Sequence, residues 1–324
     1  MIVRASERGA ALLTVLLLVA VMASVSATAL DRIRIGTRLT ANAATFGQAR
    51  AWLTTAELLA ATRVEDLLAA NTGQTTLAGN WMGVERNIAL PDGGAVRARV
   101  DDGSNCFNLN SLVERRQDGT LVARATGRSQ FEALMTSVGV GAGEASQIAG
   151  LATDYIDSDN VAVSSGGEDG AHPGGLSPNR MVADASELRA VGKLDARSYG
   201  LIERWVCALP TTDLSPLNVN TLLPEQALLL TMLAPAQIDV ARARAQLSAR
   251  PAGGFGSVID FWNNAAFAGL QLPSSTTSQV QVKTSFFTLR ASVNAGDLQL
   301  GETALFDARK TPVRLVWRQW GEQS

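Results

Sequence analysis

The sequence predicts an α+β fold: one long amino-terminal helix, an antiparallel sheet, and a large all-α domain inserted before the last strands of that sheet. Three observations predict it. An uncharged run from Ala10 to Leu30 continues, without a proline, into helix-forming sequence as far as Leu68. Strand-like alternation appears from Val96 to Val100 and returns only beyond Ser278. Helical patterns dominate the stretch between, roughly Ala125 to Leu272. With 324 residues, 46% hydrophobic and 18% charged, the chain carries enough apolar sequence for a packed core and does not read as disordered. Its 28 basic and 30 acidic side chains nearly cancel and no long basic run is present, which argues against electrostatic capture of nucleic acid.

As a helix, Ala10 to Leu30 spans about 31 Å, enough to cross the hydrocarbon of a bilayer. Arg4 and Arg8 precede it, so the amino end should stay cytoplasmic and the rest should be exported. A secretory signal peptide has the same features, with Ala27-Thr28-Ala29 as a small-x-small cleavage site. The sequence that follows separates the two readings. Leu39, Phe46, Leu53 and Leu67 fall at seven-residue spacing and Ala60 completes the series, so one face of a continuing helix stays apolar. A discarded signal peptide need not run on in this way, whereas an anchor at the head of a spine helix must.

After a polar, glycine-rich break from Thr72 to Gly83, "VERNIALPDGGAVRARVDDGS" reads as a hairpin. Pro91-Asp92-Gly93-Gly94 supplies its turn, and Val96, Ala98 and Val100 alternate with Arg97 and Arg99. "CFNLNSL" ends this first sheet portion. The helical candidates are "SQFEALMTSVGV", "GEASQIAGLATDYID", "ASELRAV", "SYGLIERWVCAL" with Cys207 ending its helix, "LLPEQALLLTMLAP" and "IDVARARAQLSAR". "GVGAG", Gly139 to Gly143, lies between two of them rather than after a strand, so it reads as a helix–helix turn and not as a phosphate loop. "SQVQVKTSFFTLRASVNAGDLQL" and "PVRLVWRQW" supply the final strands, with a turn at Asn294-Ala295-Gly296-Asp297. The expected divisions are the long helix at 10–71, the first sheet portion at 72–124, the inserted domain at 125–275 and the final strands at 276–324.

The strongest local constellation is the acidic loop "TDYIDSDNVAVSSGGEDGAHPGG". It carries Asp154, Asp157, Asp159, Glu168 and Asp169, and Asn179 follows. Hard oxygen ligands on a glycine-rich loop suit calcium. The spacing is not that of an EF-hand, because Val161 and Ala162 stand where a ligand and a glycine are needed. A solvated loop, with Asp157 or Asp159 ending a helix, accounts for the same residues, and the residues alone leave both readings open. Two cysteines without CxxC spacing and a single histidine argue against a zinc site. Cys106 and Cys207 could be disulfide-bonded in an exported chain and buried thiols in a cytosolic one.

A hydrolase reading would rest on His172, which lies between Ala171 and Pro173 in that loop, and no GxSxG precedes a helix. A surface or cation-adjacent histidine is the simpler account; a calcium-dependent hydrolase would need a cleft with a perturbed titratable pair. Leu217 to Arg250 resembles helix-hairpin-helix modules, including those of DNA-uptake proteins. Asn220 or Thr221 could cap its first helix, with Pro224 in the first turn. Its hairpin, "LAPAQI", has no glycine to let backbone approach phosphate, and Arg242, Arg244 and Arg250 read as a solvated face. The alternative function this leaves is a periplasmic helix-hairpin-helix protein that binds DNA or another ligand. Trp205, Cys207, Met232 and Leu233 read as core.

Arg8-Gly9 before "AALLTVLLLVAVMA" resembles a prepilin-type leader, which a prepilin peptidase cuts after the glycine. On that resemblance residues 1–9 are a leader, cleavage falls between Gly9 and Ala10, and the apolar helix is kept. Most pilins and pseudopilins carry glutamate at the fifth mature position, which here is Thr14; its loss is typical of the K-type minor pseudopilins of type II secretion. "FNLNSL", "DYIDSD", "NRMVADASELRAV", "CALP" and "LNVNT" occur in that family's order. The resemblance covers nearly the whole chain. It implies a pilin-like fold with an inserted helical domain and a non-enzymatic assembly role at the tip of the pseudopilus. It also implies a single-pass inner-membrane anchor with the globular part in the periplasm.

The partners so implied are the I-type and J-type minor pseudopilins, an H-type subunit, the inner-membrane secretion platform and prepilin peptidase, with no nucleic acid. Calcium binding near the acidic segment is implied too, with Asp154, Asp157, Asp159, Glu168, Asp169 and Asn179 as candidate ligands. Export places Cys106 and Cys207 in an oxidising compartment, where a disulfide between them is expected to tie the inserted domain to the sheet.

Overall fold

The computed structural model describes residues 5–90, 95–295 and 298–321. The turns expected at Pro91–Gly94 and Gly296–Asp297 fall outside them. α1 (Ala5–Ala70) is one unbroken helix of 66 residues, about 100 Å long. It ends where the Asn71 side chain accepts from the backbone N–H groups of Gly73 and Gln74, a turn that competes with a further helical bond. Side chains from Ala10 to Ala44 are exposed. From Ala49 onward the helix packs on the sheet through Ala49, Leu53, Ala56, Ala60 and Val64. The seven-residue stripe is therefore buried only in its second half: Leu39 is 64% and Phe46 41% exposed, because the sheet does not reach that far up the helix.

Five antiparallel strands form that sheet. β1 (Arg86–Ala89) and β2 (Ala95–Asp102) are the first pair. After β2 the chain leaves the sheet altogether. It forms β3 (Phe107–Asn108), β4 (Val113–Arg115), β5 (Leu121–Ala123), α2 (Ala125–Ser137) and α3 (Ala142–Ile156). Then come α4 (Ala196–Ile202), β6 (Val206–Cys207), β7 (Leu217–Asn218), α5 (Leu228–Thr231), α6 (Val240–Ser248), α7 (Val258–Trp262), α8 (Ser274–Thr277) and β8 (Val280–Gln281). The chain returns through β9 (Phe286–Ala295), β10 (Leu298–Asp307) and β11 (Arg314–Gly321), giving the strand order β1–β2–β9–β10–β11. Period-two alternation sorts β9: Phe287, Leu289, Ala291 and Val293 turn toward α1, while Arg290 between them stays exposed.

The interposed region has its own core, built around Phe107, Phe131, Leu134, Met135, Ile148, Leu230 and Phe261, with Phe107 and Phe131 stacked at 4.8 Å. Gly139, at φ 100°, makes the turn between α2 and α3. Several local expectations are corrected. "ASELRAV" is a 3-10 segment, Ala185–Ala190, and the helix through Tyr199 stops at Ile202. Cys207 lies in β6, paired in parallel with Asn108 of β3, rather than ending a helix. Pro224 does open a short 3-10 turn, but neither Asn220 nor Thr221 caps it, because both side chains are engaged elsewhere. Arg250 is not on a solvated face: its guanidinium donates to the carbonyls of Val219 and Leu222, while Arg242 and Arg244 are exposed. α7 and α8, only five and four residues long, add two helical pieces to those the periodicity marks.

Candidate functional site

Three features set this chain apart: an exposed apolar anchor, a staple between its two cores, and a buried acidic centre. In the anchor, Gly9 and Ala10 lie within α1, and α1 is the one helix among the described residues long and apolar enough to cross a membrane. Thr14 keeps its hydroxyl satisfied by donating to the Ala11 carbonyl at 2.9 Å, so no unpaired polar group is carried into the apolar stretch.

The staple is polar. Cys106 and Cys207 are joined in a disulfide, but both lie in the region between β2 and β9. Contrary to expectation, the bridge therefore fastens β3 to β6 within that region and does not tie it to the sheet. Around the bridge lie two Asn-x-Asn pairs whose roles the sequence did not disclose. Asn108 is fully buried; its Nδ2 donates to the carbonyls of Thr211 and Asp213, and its Oδ1 accepts from the N–H groups of Asn110 and Leu209. Asn110 grips Val182 and Leu209 in the same way. Asn218 donates to the Thr75 carbonyl and the Thr284 hydroxyl, joining the segment after α1 to the segment that leads into β9. Asp102, at the end of β2, accepts from Thr221 and Thr284 in that network. Burial pushes its carboxyl up, and these hydrogen bonds oppose the shift. The legible signal was the repeated Asn-x-Asn in apolar surroundings, since a buried amide must have partners.

The acidic centre forms where α3 ends. Asp154, Asp157 and Glu168 bring one oxygen each within 4.8 Å of one another. Asp154 is fixed by the N–H groups of Val163 and Gly167, and Gly166 packs so tightly on its carboxylate that a Cβ would collide with it. Both oxygens of Asp157 and both of Glu168 are buried without a protein donor. Asp159 and Asp169 are not part of this carboxylate triad. Asp159 is exposed and accepts from the Val161 N–H, and Asp169 accepts from the Ser177 N–H. Asn179, at φ 49°, has a buried Oδ1 without a donor. His172 is no surface residue. It is 5% exposed and edge-on to Tyr155.

Burial, then the charges of Asp159, Asp154 and Glu168, raise the Asp157 carboxyl to about 7. Asp154 and Glu168 are raised as well, burial being the largest cause for each. Buried acids held together without a counter-charge, with hard oxygens left over, are a donor set that fits a hard divalent cation rather than a soft one.

Comparisons with known proteins agree along the whole chain. Two family profiles, both described as type II secretion system, protein K, match residues 105–211 and 217–283. The type II secretion system protein K of Klebsiella pneumoniae is 31% identical over 97% of this chain and 97% of its own length. Its counterpart from Pseudomonas aeruginosa is 31% identical over 98% of this chain and 94% of its own. Among solved structures, a chain of the GspK-GspI-GspJ complex from enterotoxigenic Escherichia coli superposes with a TM-score of 0.73 at 28% identity, covering 86% of this chain and 97% of that one.

Proposed function

Because this chain belongs to the type II secretion system protein K family, it is a minor pseudopilin, and we propose that it caps the tip of the periplasmic pseudopilus from an inner-membrane anchor. The observation that carries the reading is the architecture: an exposed apolar half-helix, continuous with a spine that packs on an antiparallel sheet, joined to a bulky helical region. Prepilin peptidase removes residues 1–9, leaving Ala10 first and the single span in the inner membrane. The mature subunit assembles beside I-type and J-type minor pseudopilins, with an H-type subunit below, on the secretion platform. The likeness to a GspK chain solved with GspI and GspJ supports these partners. An apolar trough between α1 and the first strands, lined by Leu59, Val64, Leu67, Trp81 and Ile88, offers a lateral surface for them.

Tip placement follows from bulk and charge. The region inserted between β2 and β9 would clash in a helically packed shaft but has free space at an end. A buried carboxylate at the fifth mature position is costly unless a neighbour pairs with it, and Thr14 removes it. The role we infer is assembly rather than catalysis: the acids raised by burial lie in the cation-type centre, the α1–sheet seam and the Asp102 hydrogen-bond network, and the sole histidine is packed away. The helix-hairpin-helix alternative loses its footing because Arg250, one of three basic residues it would use, is turned inward. Native mass spectrometry of the detergent-extracted complex tests the proposal. One copy each of the K-, I- and J-type subunits, with this chain beginning at Ala10, is expected. Many copies along sheared filaments would defeat the tip assignment.

Calcium is the cation proposed for the acidic centre, held by Asp154, Asp157 and Glu168; it would supply the positive charge that these buried acids lack. Their donorless oxygens support this. Without a cation, Asp157 is raised above its unfolded value. Its contribution to stability is therefore full below about pH 4 and lost as pH rises through about 7. Calcium competes with the proton for the same carboxylate, so its stabilising effect should grow across that range. Millimolar calcium is expected to raise the melting temperature more at about pH 8 than at about pH 6, and Asp157→Ala should remove most of the shift. No calcium effect at either pH would return the centre to an ordinary acidic loop.

A further inference from the structure

A second buried acidic site lies where α1 rests on the sheet. Glu57 is 5% and Glu302 1% exposed, one on the helix and the other on β10. Glu57 stands close enough to act on Glu302 both as a side-chain hydrogen-bond partner and as a charge. An ionised carboxylate has acceptors only, so a hydrogen bond between two carboxyl groups requires a proton on one of them. From β11, Arg318 reaches Glu57, with Nε 3.2 Å from Oε2 and Nη2 3.3 Å from Oε1. Arg50, two turns earlier on α1, has its guanidinium 4.9 Å from the centre of the Trp320 ring and acts on Glu302 only as a weaker, through-space charge. β9 places Ala291 opposite Glu302 and adds no charge there. Farther along α1, Glu65 is taken up by the Val313 N–H. Two buried acids thus share this seam with one directly bound arginine, whose side chain is 34% exposed.

We infer that Glu57 and Glu302 form a single-proton site that ties the spine helix to the sheet. With the proton shared, α1 and β10 are joined by a carboxyl–carboxylate hydrogen bond backed by Arg318. When the proton leaves, the same groups face each other as two buried anions with one arginine, held by Glu57, to offset them, and the seam weakens. The site is separate from the Asp154 centre and needs no cation.

Burial, followed by the hydrogen bond and charge of Glu57, raises the Glu302 carboxyl to about 7, with Arg318 and Arg50 opposing. The folded value lies above the unfolded one. The stabilising effect is therefore complete below about pH 4 and disappears as pH rises through about 7.

Infrared spectroscopy and thermal unfolding of the full-length protein in detergent, wild type against Glu302→Gln, test this. Both proteins keep Asp157, so its titration cancels in the comparison. The amide introduced by Glu302→Gln donates to Glu57 at every pH and mimics the protonated form. Beyond the bands common to both proteins, the wild type is expected to show an additional protonated-carboxyl C=O band that fades through about pH 7. Its melting temperature should fall by a few degrees relative to the variant between about pH 6 and about pH 8. Identical bands at every pH would overturn the shared proton, and a band without the melting difference would overturn the lock. If Glu302→Gln fails to fold, Glu57→Gln reads the same band from the helix side.

Discussion

Asn108→Ala is expected to cost about 3–5 kcal/mol of stability, at the upper end of what one side chain can lose. The side chain is fully buried and answers four backbone groups, the carbonyls of Thr211 and Asp213 and the N–H groups of Asn110 and Leu209. Alanine removes all four partners at once. It also leaves room too small and too enclosed for waters to replace them fully, so each orphaned group bears part of its desolvation penalty. The loops around Asn110, Leu209 and Thr211, which share this amide and its neighbour as partners, should loosen together. Denaturant unfolding followed through the buried Trp205 measures the loss. Asn71→Ala is the control: that side chain also accepts from two N–H groups, but in the open, and its loss should cost about 1 kcal/mol or less. A cost below about 1 kcal/mol for Asn108→Ala would mean that the network is not what holds these loops.

Removing the Cys106–Cys207 disulfide should have the next largest effect. The two residues are 101 apart in sequence, so the cross-link closes a long loop in the unfolded chain. The chain-entropy account assigns a loop of that size up to about 4.7 kcal/mol, with about 2–4 more typical of measured cases. In the folded state, Phe107 and Asn108 already pair with Val206 and Cys207 beside the bridge, so reduction leaves the native contacts in place and acts mainly on the unfolded ensemble. Cys106→Ala/Cys207→Ala is expected to fold and to unfold at lower denaturant, with a steeper dependence because its unfolded state is more open. Combined with Asn108→Ala it should be non-additive, since Asn108 pairs with Cys207. Free thiols titrating in the oxidised, denatured wild type would exclude the bridge.

Much of the fold could be read from spacing because spacing is what local structure answers to. A proline-free run from Ala10 to Leu68 has nothing to stop a helix, and the alternation in "SFFTLRASV" has only one way to bury Phe287, Leu289 and Ala291 on a common face. The short pieces were not legible in the same way. Val206-Cys207 has strand form only because Phe107-Asn108 lies alongside, and α7 and α8 are too brief to carry a period. The acidic centre was half legible. Six oxygen-bearing residues stood out, but which three converge depends on how the loop after α3 folds back through Gly166 and Gly167 onto Asp154.

The anchor, the spine, the strands and the order in which they are joined are all written along the chain, because hydrophobic period and turn residues act over a few neighbours. Which polar groups are buried together was settled only in three dimensions: Asn108 with Leu209, Asp102 with Thr284, Asp157 with Glu168, and Glu57 with Glu302. Most of those partners are far apart in the chain. An acid written in a sequence looks the same whether water will solvate it or another acid will face it, and only the closing of the fold removes the water and sets which proton or cation it must hold.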